Sequence, residues 1–140
     1  MIPFSPRPRR RLDWLMDDLV NRVPDIQHAI AVSRDGTPTG ASQALTSEDA
    51  TYLASIVRAV HSIASGAGRR FRAGAVLQTT VELDHALLFI ASARHRSYLA
   101  AISSPTADTT RINNELTRMA KRLSQIPTTP VHQHLNGKHY

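Results

Sequence analysis

Apolar residues recur at helical spacing between Thr46 and Ser65, and they cover more of the helix surface than one small domain needs. A first stripe, at steps of three and four residues, consists of Ala50, Leu53, Val57, Val60 and Ala64. A second stripe, turned by about 100° at the helical period, consists of Tyr52, Ile56, Ala59 and Ile63. One stripe can pack on the chain's own sheet, so the other needs a partner. The pattern therefore predicts a protein that associates through this helix.

Two further helices are predicted, one on either side of the long helix. The first runs from about Arg11 to Val23, has one apolar face and stops before Pro24. The last is expected to begin at Ser104-Pro105, where serine can cap the helix and proline suits the first turn. The long helix is expected to end at Gly66-Ala67-Gly68, because glycine is common just past helix C-termini.

Five strands are predicted from runs that alternate or are apolar throughout. They are Ile26–Ser33, Thr37–Gln43, Ala73–Glu82, His85–Ala93 and Ser97–Ser103. Asp35-Gly36 supplies a hairpin turn between the first two, because such turns need a positive φ. Pro38 and Gly40 indicate that the second strand lies at an edge, and the polar alternation of the third strand indicates another edge. The last two strands are apolar on both faces, which is typical of central strands.

The predicted order is α-β-β-α-β-β-β-α, and the tight hairpins make the sheet antiparallel. The sequence thus predicts an α+β domain with a five-stranded antiparallel sheet. The long helix covers one face, and the two helices with a single stripe share the other. This domain is expected to span residues 11–126, between a disordered basic leader (residues 1–10) and a flexible histidine-containing tail (residues 127–140).

The charge and composition narrow the possible environments and partners. The chain has 140 residues and a net charge of +6. It contains no cysteine, so disulfides and thiolate metal sites are excluded. No apolar run approaches the roughly 20 residues of a membrane span, and a cytoplasmic chain, at most peripheral to the membrane through partners, is expected. Four of the positive charges are Arg7, Arg9, Arg10 and Arg11, in the leader and directly after it. They could contact nucleic acid, but no aromatic residues are interleaved among them to stack on bases, and a solubilising tail is favoured.

Candidate chemistry is sparse. Glu82, Asp84 and His85 cluster at a hairpin, where solvated side chains are more common than an acid–base pair. His132, His134 and His139 fall in the tail and suggest at most adventitious metal binding. No serine stands in a Gly-x-Ser-x-Gly elbow. The sequence predicts no catalytic residue, no cofactor and no metal site, and therefore a protein that is not an enzyme.

Two histidines and the arginines of the long helix each have a purely structural and a functional interpretation. His28 alternates with apolar residues and is interpreted as a core histidine with its hydrogen bonds satisfied. His61 is interpreted as a surface residue on the polar side of the long helix. Arg58, Arg69 and Arg70 are either solvated charges or contacts to an acidic or nucleotide-bound partner, and the sequence supports both about equally.

Several segments, in this order and spacing, resemble the Roadblock / dynein light chain family. They are VSRDGTPTGAS, HSIASGAGRRF and VLQTTVELDHALLFIASARHRSYLAAISSPTAD. The resemblance covers about Leu12 to Leu123 and is to bacterial members encoded beside small Ras-like GTPases, especially in actinobacteria. It implies a profilin-like Roadblock fold, which agrees with the independent reading of the periodicity.

The resemblance also implies a homodimer in which the third strands pair edge to edge and the second helices pack antiparallel. Carried onto this chain, the dimer interface comprises Tyr52, Ile56, Ala59, Ile63, Val76, Gln78 and Thr80. Bacterial relatives are implied to bind a GTP-loaded small GTPase across the paired helices. The corresponding partner-facing residues are Ser55, Arg58, Ser62, Arg69 and Arg70. This chain departs from the family at Arg94-His95-Arg96, where a Gly/Asp-rich turn is common, and the departure bears on partner choice.

The expected function is that of a homodimeric adaptor that regulates a small Ras-like GTPase in a signalling complex, in which a sensor kinase-type membrane protein is a further expected partner. Little nucleotide binding by this chain alone is expected. The alternative is a nucleic-acid-associated protein that uses the arginine-rich leader and Arg69–Arg72, with binding that falls steeply with salt. A small-molecule sensor on the same scaffold would require a cavity.

Overall fold

The computed structural model describes residues 9–126, which form three helices and a five-stranded antiparallel sheet in the predicted order. The helices are α1 (Asp13–Arg22), α2 (Ser47–Arg70) and α3 (Thr109–Ser124). The strands are β1 (Ile26–Val32), β2 (Pro38–Ala41), β3 (Gln78–Glu82), β4 (Leu87–Ser92) and β5 (Tyr98–Ser103). A short 3₁₀ turn, Arg94–Arg96, joins β4 to β5. The predicted tail and most of the predicted leader lie outside the described residues.

The sheet has the order β2-β1-β5-β4-β3 and separates two apolar cores. On one face α1 and α3 pack side by side against the sheet, with Leu15, Phe89 and Leu116 fully buried between them. On the other face α2 packs on β1 and β5, where Val57 and Ile30 are fully buried. The predicted fold class and the predicted division of the helices between the two faces are therefore confirmed.

Charged side chains connect α1 to α3 on the outer surface of their shared layer. Arg22 contacts Asp18 and Glu115, each at 3.0 Å, and Arg122 contacts Asp18 at 3.1 Å. The hydrogen bond from Arg22 is the main reason that the pKa of Asp18 lies below its usual value. The Arg122 guanidinium also lies 5.9 Å from the centre of the Trp14 ring, within cation–π distance. These contacts are partly solvated and contribute modestly to stability.

The long helix α2 does not end at Gly66-Ala67-Gly68, so that prediction was wrong. The helix continues to Arg70, and the N–H of Phe71 still donates to Ala67 O at 3.0 Å. Gly68 is needed for a close approach, because a Cβ there would lie 2.1 Å from Gly74 O in the following loop. That loop occupies the start of the predicted third strand, and β3 accordingly begins at Gln78.

The predicted start of α3 was also wrong. Ser104-Pro105 forms a turn, and the N-cap is Asp108, whose side chain accepts hydrogen bonds from the N–H groups of Thr110 and Arg111 at 3.0 and 3.3 Å. Serine and aspartate are both favoured N-caps, but the helical backbone begins only after Asp108, four residues beyond Ser104.

A register irregularity in β1 changes which residues share a face. The pairing with β5 shifts between Ile26 and His28, so Ile26 packs in the α1–α3 core whereas Ile30 packs under α2. His28 is half-buried, and its Nδ1 atom finds no hydrogen-bond partner among residues 9–126. The interpretation of His28 as a satisfied core histidine is therefore wrong.

Candidate protein interaction surface

The edge of the sheet at β2 is closed by α1. The carboxylates of Asp13 and Asp17 accept hydrogen bonds from the backbone N–H groups of Ala41 and Gln43, each at 2.8 Å. The carbonyl of Thr39 accepts a hydrogen bond from the start of α1 at 2.9 Å. Strand edges that keep unpaired backbone groups can pair with another chain, and these contacts remove that possibility at β2.

The opposite edge, at β3, is open. Leu83 N–H donates to Ala86 O at 2.9 Å, which makes these two residues a hydrogen-bonded pair of the β3–β4 ladder. In an antiparallel ladder such pairs alternate, so every second residue of β3 turns its N–H and C=O away from β4. The residues whose backbone groups point outward are Gln78, Thr80 and Glu82. No hydrogen bond from the described part of the chain reaches these groups.

The second stripe of α2 lies on the side of the helix away from the sheet, as predicted. Tyr52 is 69% exposed and Ile63 is 76% exposed, whereas Ile56 is half-buried and Ala59 is exposed. All the fully buried residues of α2 lie in its first half. In the second half Val60 packs against the core, whereas Ile63 stays exposed in the single chain.

Two large apolar residues that sequence reasoning missed extend this surface. Phe71 is 76% exposed and Leu77 is 80% exposed, and they flank the loop between α2 and β3. The available signal was spacing, because Phe71 lies seven residues beyond Ala64 of the first stripe and Leu77 lies on the side of β3 opposite Gln78 and Thr80. We refer to the exposed stripe of α2, Phe71, Leu77 and the open edge of β3 together as the α2–β3 surface.

The predicted interface residues around β3 differ in their surroundings. Val76 is half-buried, and its carbonyl accepts a hydrogen bond from the Ser92 hydroxyl at 3.2 Å. The side-chain amide of Gln78 contacts α3, where it donates to Thr117 Oγ1 at 3.2 Å. Thr80 is exposed. A partner at this edge would therefore bind mainly to the outward backbone groups of Gln78 and Thr80, and less to their side chains.

The predicted partner-facing residues are all exposed, although they are not equally free. The Ser55 hydroxyl donates to the carbonyl of Tyr52 at 2.7 Å, which is a local contact within α2. Arg58 Nε donates to Arg34 O at 3.3 Å, and the Arg58 side chain lies against Gly36 of the β1–β2 turn. Ser62, Arg69 and Arg70 are exposed on the second half of the helix. Arg58 is thus positioned by the turn, whereas Arg69 and Arg70 lie in the last turn of α2, where cations are favoured.

The interpretation of His61 as a surface residue on the polar side of α2 is wrong. It is half-buried, and its ring centre lies 4.8 Å from that of Tyr98 in β5. Burial lowers the pKa of His61 below the usual value of 6.5, because the charged imidazolium loses hydration. His61 therefore joins the second half of α2 to the sheet.

The remaining candidates for chemistry are not assembled into a site. Glu82, Asp84 and His85 are exposed around the β3–β4 turn. Within residues 9–126, no group of three or more potential ligands is arranged to hold a metal ion. In the same part of the chain, no helix is both long enough and apolar enough to cross a membrane.

The chain thus forms a three-layer α+β domain with one closed sheet edge and one open edge beside a helix that exposes apolar side chains. The family model for the Roadblock/LC7 domain matches residues 12–103, and the chain belongs to this family. The sequence and fold are similar to a Roadblock/LC7 domain from Streptomyces avermitilis, with 34% identity, a TM-score of 0.77, and coverage of 81% of this chain and 94% of that one.

A second Roadblock/LC7 domain from the same organism is 25% identical, with a TM-score of 0.61 and coverage of 81% of this chain and 99% of that one. The fold is also similar to that of Myxococcus xanthus MglB, at 14% identity and a TM-score of 0.73, over 82% of this chain and 93% of that one. No curated protein matches the sequence. These comparisons confirm the predicted family and fold, and the interface residues remain predictions.

Proposed function

We propose that this protein is a homodimeric, non-enzymatic adaptor that binds a small Ras-like GTPase and modulates its nucleotide cycle within a signalling complex. The observation that carries the proposal is the α2–β3 surface, in which an exposed apolar helix stripe and an open strand edge are joined by one loop. Membership of the Roadblock/LC7 family supports it, because the family resemblance implies this role.

The homodimer is supported by what the single chain leaves uncovered. Pairing β3 with its copy in a second chain would satisfy the outward backbone groups of both strands. The same two-fold arrangement would bring the exposed stripes of two α2 helices together. Full burial of a side chain such as Ile63, which is 76% exposed here, is worth about 1.5–3 kcal/mol.

The GTPase-binding part of the proposal depends on the polar side of α2. Ser55, Arg58 and Ser62 are exposed along this helix, so two antiparallel copies would form one continuous surface. A GTPase whose GTP-bound conformation fits that surface better than its GDP-bound conformation would be shifted toward the former. Any change in hydrolysis rate would arise from this differential binding, without a catalytic group from the adaptor. The proposed complex is cytoplasmic and reaches the membrane only through partners such as a sensor kinase-type protein.

The dimer is tested with Ile63→Asp, which places a charge in the exposed stripe and leaves the monomer core untouched. We expect the dimer dissociation constant to rise at least about a hundredfold, measured by sedimentation velocity over a concentration series. Ser62→Asp is the matched control, because it introduces the same charge on the polar side. An unchanged dimer in Ile63→Asp would show that the stripe is not the interface.

The GTPase interaction is tested by binding to small Ras-like GTPases of the same genome, each loaded with GDP or with a non-hydrolysable GTP analogue. We expect preferential binding of the GTP-like form, and Arg58→Glu should weaken it at least about tenfold while leaving the dimer intact. Arg111→Glu, an exposed change on α3, is the control for net charge. If no GTPase binds the wild-type dimer in either state, this part of the proposal is wrong.

A further inference from the structure

A half-open groove of about 710 Å³ lies at the end of the sheet, between the first turn of α1 and the last turn of α3. It crosses the end of β1 and the start of β5, next to the 3₁₀ turn at Arg94–Arg96. It lies by α1 and α3, whereas the α2–β3 surface is formed by α2 and the β3 edge. An occupant of the groove would therefore leave the proposed dimer contacts accessible, although Arg58 lies against the β1–β2 turn that supplies Arg34 to the groove.

The rim of the groove is basic. Arg11, Arg34 and Arg94 come from three separate segments, and His95 lies beside Arg94 in the lining. The carboxylate in the lining is that of Asp35, which is engaged within the β1–β2 turn by the Ser33 hydroxyl and by Thr37 N–H. One turn-bound carboxylate beside Arg34 and Arg94 leaves a positive potential over this part of the rim, which favours an acidic occupant.

The walls of the groove also offer apolar surface. Leu12 lies at the start of α1, and Leu123 and Ile126 lie at the end of α3, where they are half-buried. Arg94 is fixed beside them, because its guanidinium donates to Ser124 O at 3.2 Å. Apolar walls beneath separated cations suit a chain that carries both acidic and apolar side chains. A compact anion such as phosphate would contact only part of this lining.

The backbone of the basic turn supports a role in binding. His95 has a φ of +61°, in the left-handed region that residues with a side chain rarely occupy. Holding a non-glycine residue there costs of order 1 kcal/mol, and such positions concentrate at ligand-binding sites. In this conformation the His95 side chain lines the groove.

From these observations we infer that the groove is a docking site for an acidic, partly apolar peptide segment of a partner protein. Arg34 and Arg94 supply the charge complementarity, and the half-buried Leu123 and Ile126 contact the apolar side chains of the segment. The inference goes beyond the proposed regulation of a GTPase and does not depend on it, because it uses none of the residues of the α2–β3 surface.

The test uses the full chain and a fluorescein-labelled synthetic peptide of about ten residues that alternates glutamate with leucine, read by fluorescence polarisation at about 0.15 M salt. A second peptide with serine in place of leucine and a third with lysine in place of glutamate are the ligand controls. We expect the first peptide to bind at least about tenfold more tightly than either control.

Two variants connect this binding to the groove. Arg34→Glu alters an exposed turn side chain, and Arg94→Gln removes a charge while keeping a donor for Ser124 O. Combined, they are expected to weaken peptide binding at least about tenfold, whereas Arg111→Glu with Arg118→Gln on the exposed side of α3 should change it less than about threefold. Circular dichroism and the dimer dissociation constant should be the same for both double variants, which separates this test from that of the proposed function.

Four outcomes would overturn the inference. Equal weakening by the α3 variant would indicate unspecific attraction between charges. Equal affinity of the glutamate–serine peptide would remove the apolar contribution. Binding of inorganic pyrophosphate with the same variant dependence, and without peptide binding, would make the groove a small-anion site. Peptide binding that appears only after residues 127–140 are deleted would assign the groove to the chain's own tail.

Discussion

The two edges of the sheet are treated in opposite ways by the rest of the chain. At β2 the carboxylates of Asp13 and Asp17 and the first turn of α1 occupy the outward backbone groups. At β3 the outward groups of alternate residues have no partner within residues 9–126, and the adjoining helix leaves Ile63 and Phe71 exposed. The difference teaches that an edge strand by itself does not define an interface. What matters is whether the chain has already satisfied the backbone at that edge.

The largest effect is expected when the hydrogen bonds that close the β2 edge are removed. Asp13 is 2% exposed and accepts hydrogen bonds from the N–H groups of Ala41 and Arg10, both at 2.8 Å. Asp13→Ala leaves these donors without their partner, and we expect the free energy of unfolding to fall by about 2–4 kcal/mol, measured by urea denaturation. Asp17→Ala, which removes one such bond, should cost about half as much. Unchanged stability in Asp13→Ala would contradict the role given to this carboxylate.

The reverse experiment blocks the open edge. Thr80→Pro removes an N–H group that points away from β4, so the monomer should fold while the proposed pairing of β3 with its copy is lost. We expect the dimer dissociation constant to rise at least about a hundredfold by analytical ultracentrifugation. Thr79→Pro is the matched control, since it removes an N–H that bonds to β4 and should unfold the chain instead. If Thr79→Pro were the better tolerated change, the assignment of inward and outward residues in β3 would be wrong.

The loop that leads to the open edge can be tested with two glycines of α2. A Cβ at Gly66 meets nothing within 4 Å, so Gly66→Ala should raise the free energy of unfolding by about 0.5–1 kcal/mol through helix propensity. A Cβ at Gly68 would lie 2.1 Å from Gly74 O, so Gly68→Ala should lower it by about 1–3 kcal/mol. Thermal denaturation distinguishes the two signs, and similar effects at both positions would contradict the close approach at Gly68.

The smallest expected effect concerns the second half of α2, where His61 contacts Tyr98. Because its pKa is lowered in the folded state, the unfolded chain takes up the proton first as the pH falls. Stability should therefore be lost as the pH drops below about 6.5 and should level off below the folded pKa. His61→Phe should remove this component from a comparison of unfolding free energies at pH 7.5 and 5.5. Asp18 and Asp35, whose pKa values are lowered from 3.8, do not titrate in this window.

Much of the architecture could be predicted from periodicity because the signals are local. The two stripes of α2 follow from spacing alone, and the structure places the first on the sheet and exposes the second. The family resemblance followed from ordered motifs, of which the Asp35-Gly36 turn is the shortest; Gly36 does adopt a positive φ of 91°.

The errors have a common physical origin in contacts between residues distant in sequence. Glycine at position 68 is typical of a helix end. Only the structure shows that the absence of a side chain there allows the close approach of Gly74. By its spacing, His61 falls on the polar side of α2. Its contact with Tyr98 is visible only once the helix is packed on the sheet. Periodicity likewise could not show that Asp13 and Asp17 would reach the β2 backbone, since nothing in the spacing of α1 specifies which strand lies beside it. The difference between the two edges was therefore accessible only from the structure.

The hydrogen bonds between α1 and the β2 edge also limit how far self-assembly can proceed. A sheet receptive on both flanks can recruit copies in succession and grow into a filament. Here one flank is occupied from within, so any copy that joins at β3 uses up the only remaining receptive flank in the described part of the chain. Assembly by strand addition then terminates after a single step, and the product is a closed pair.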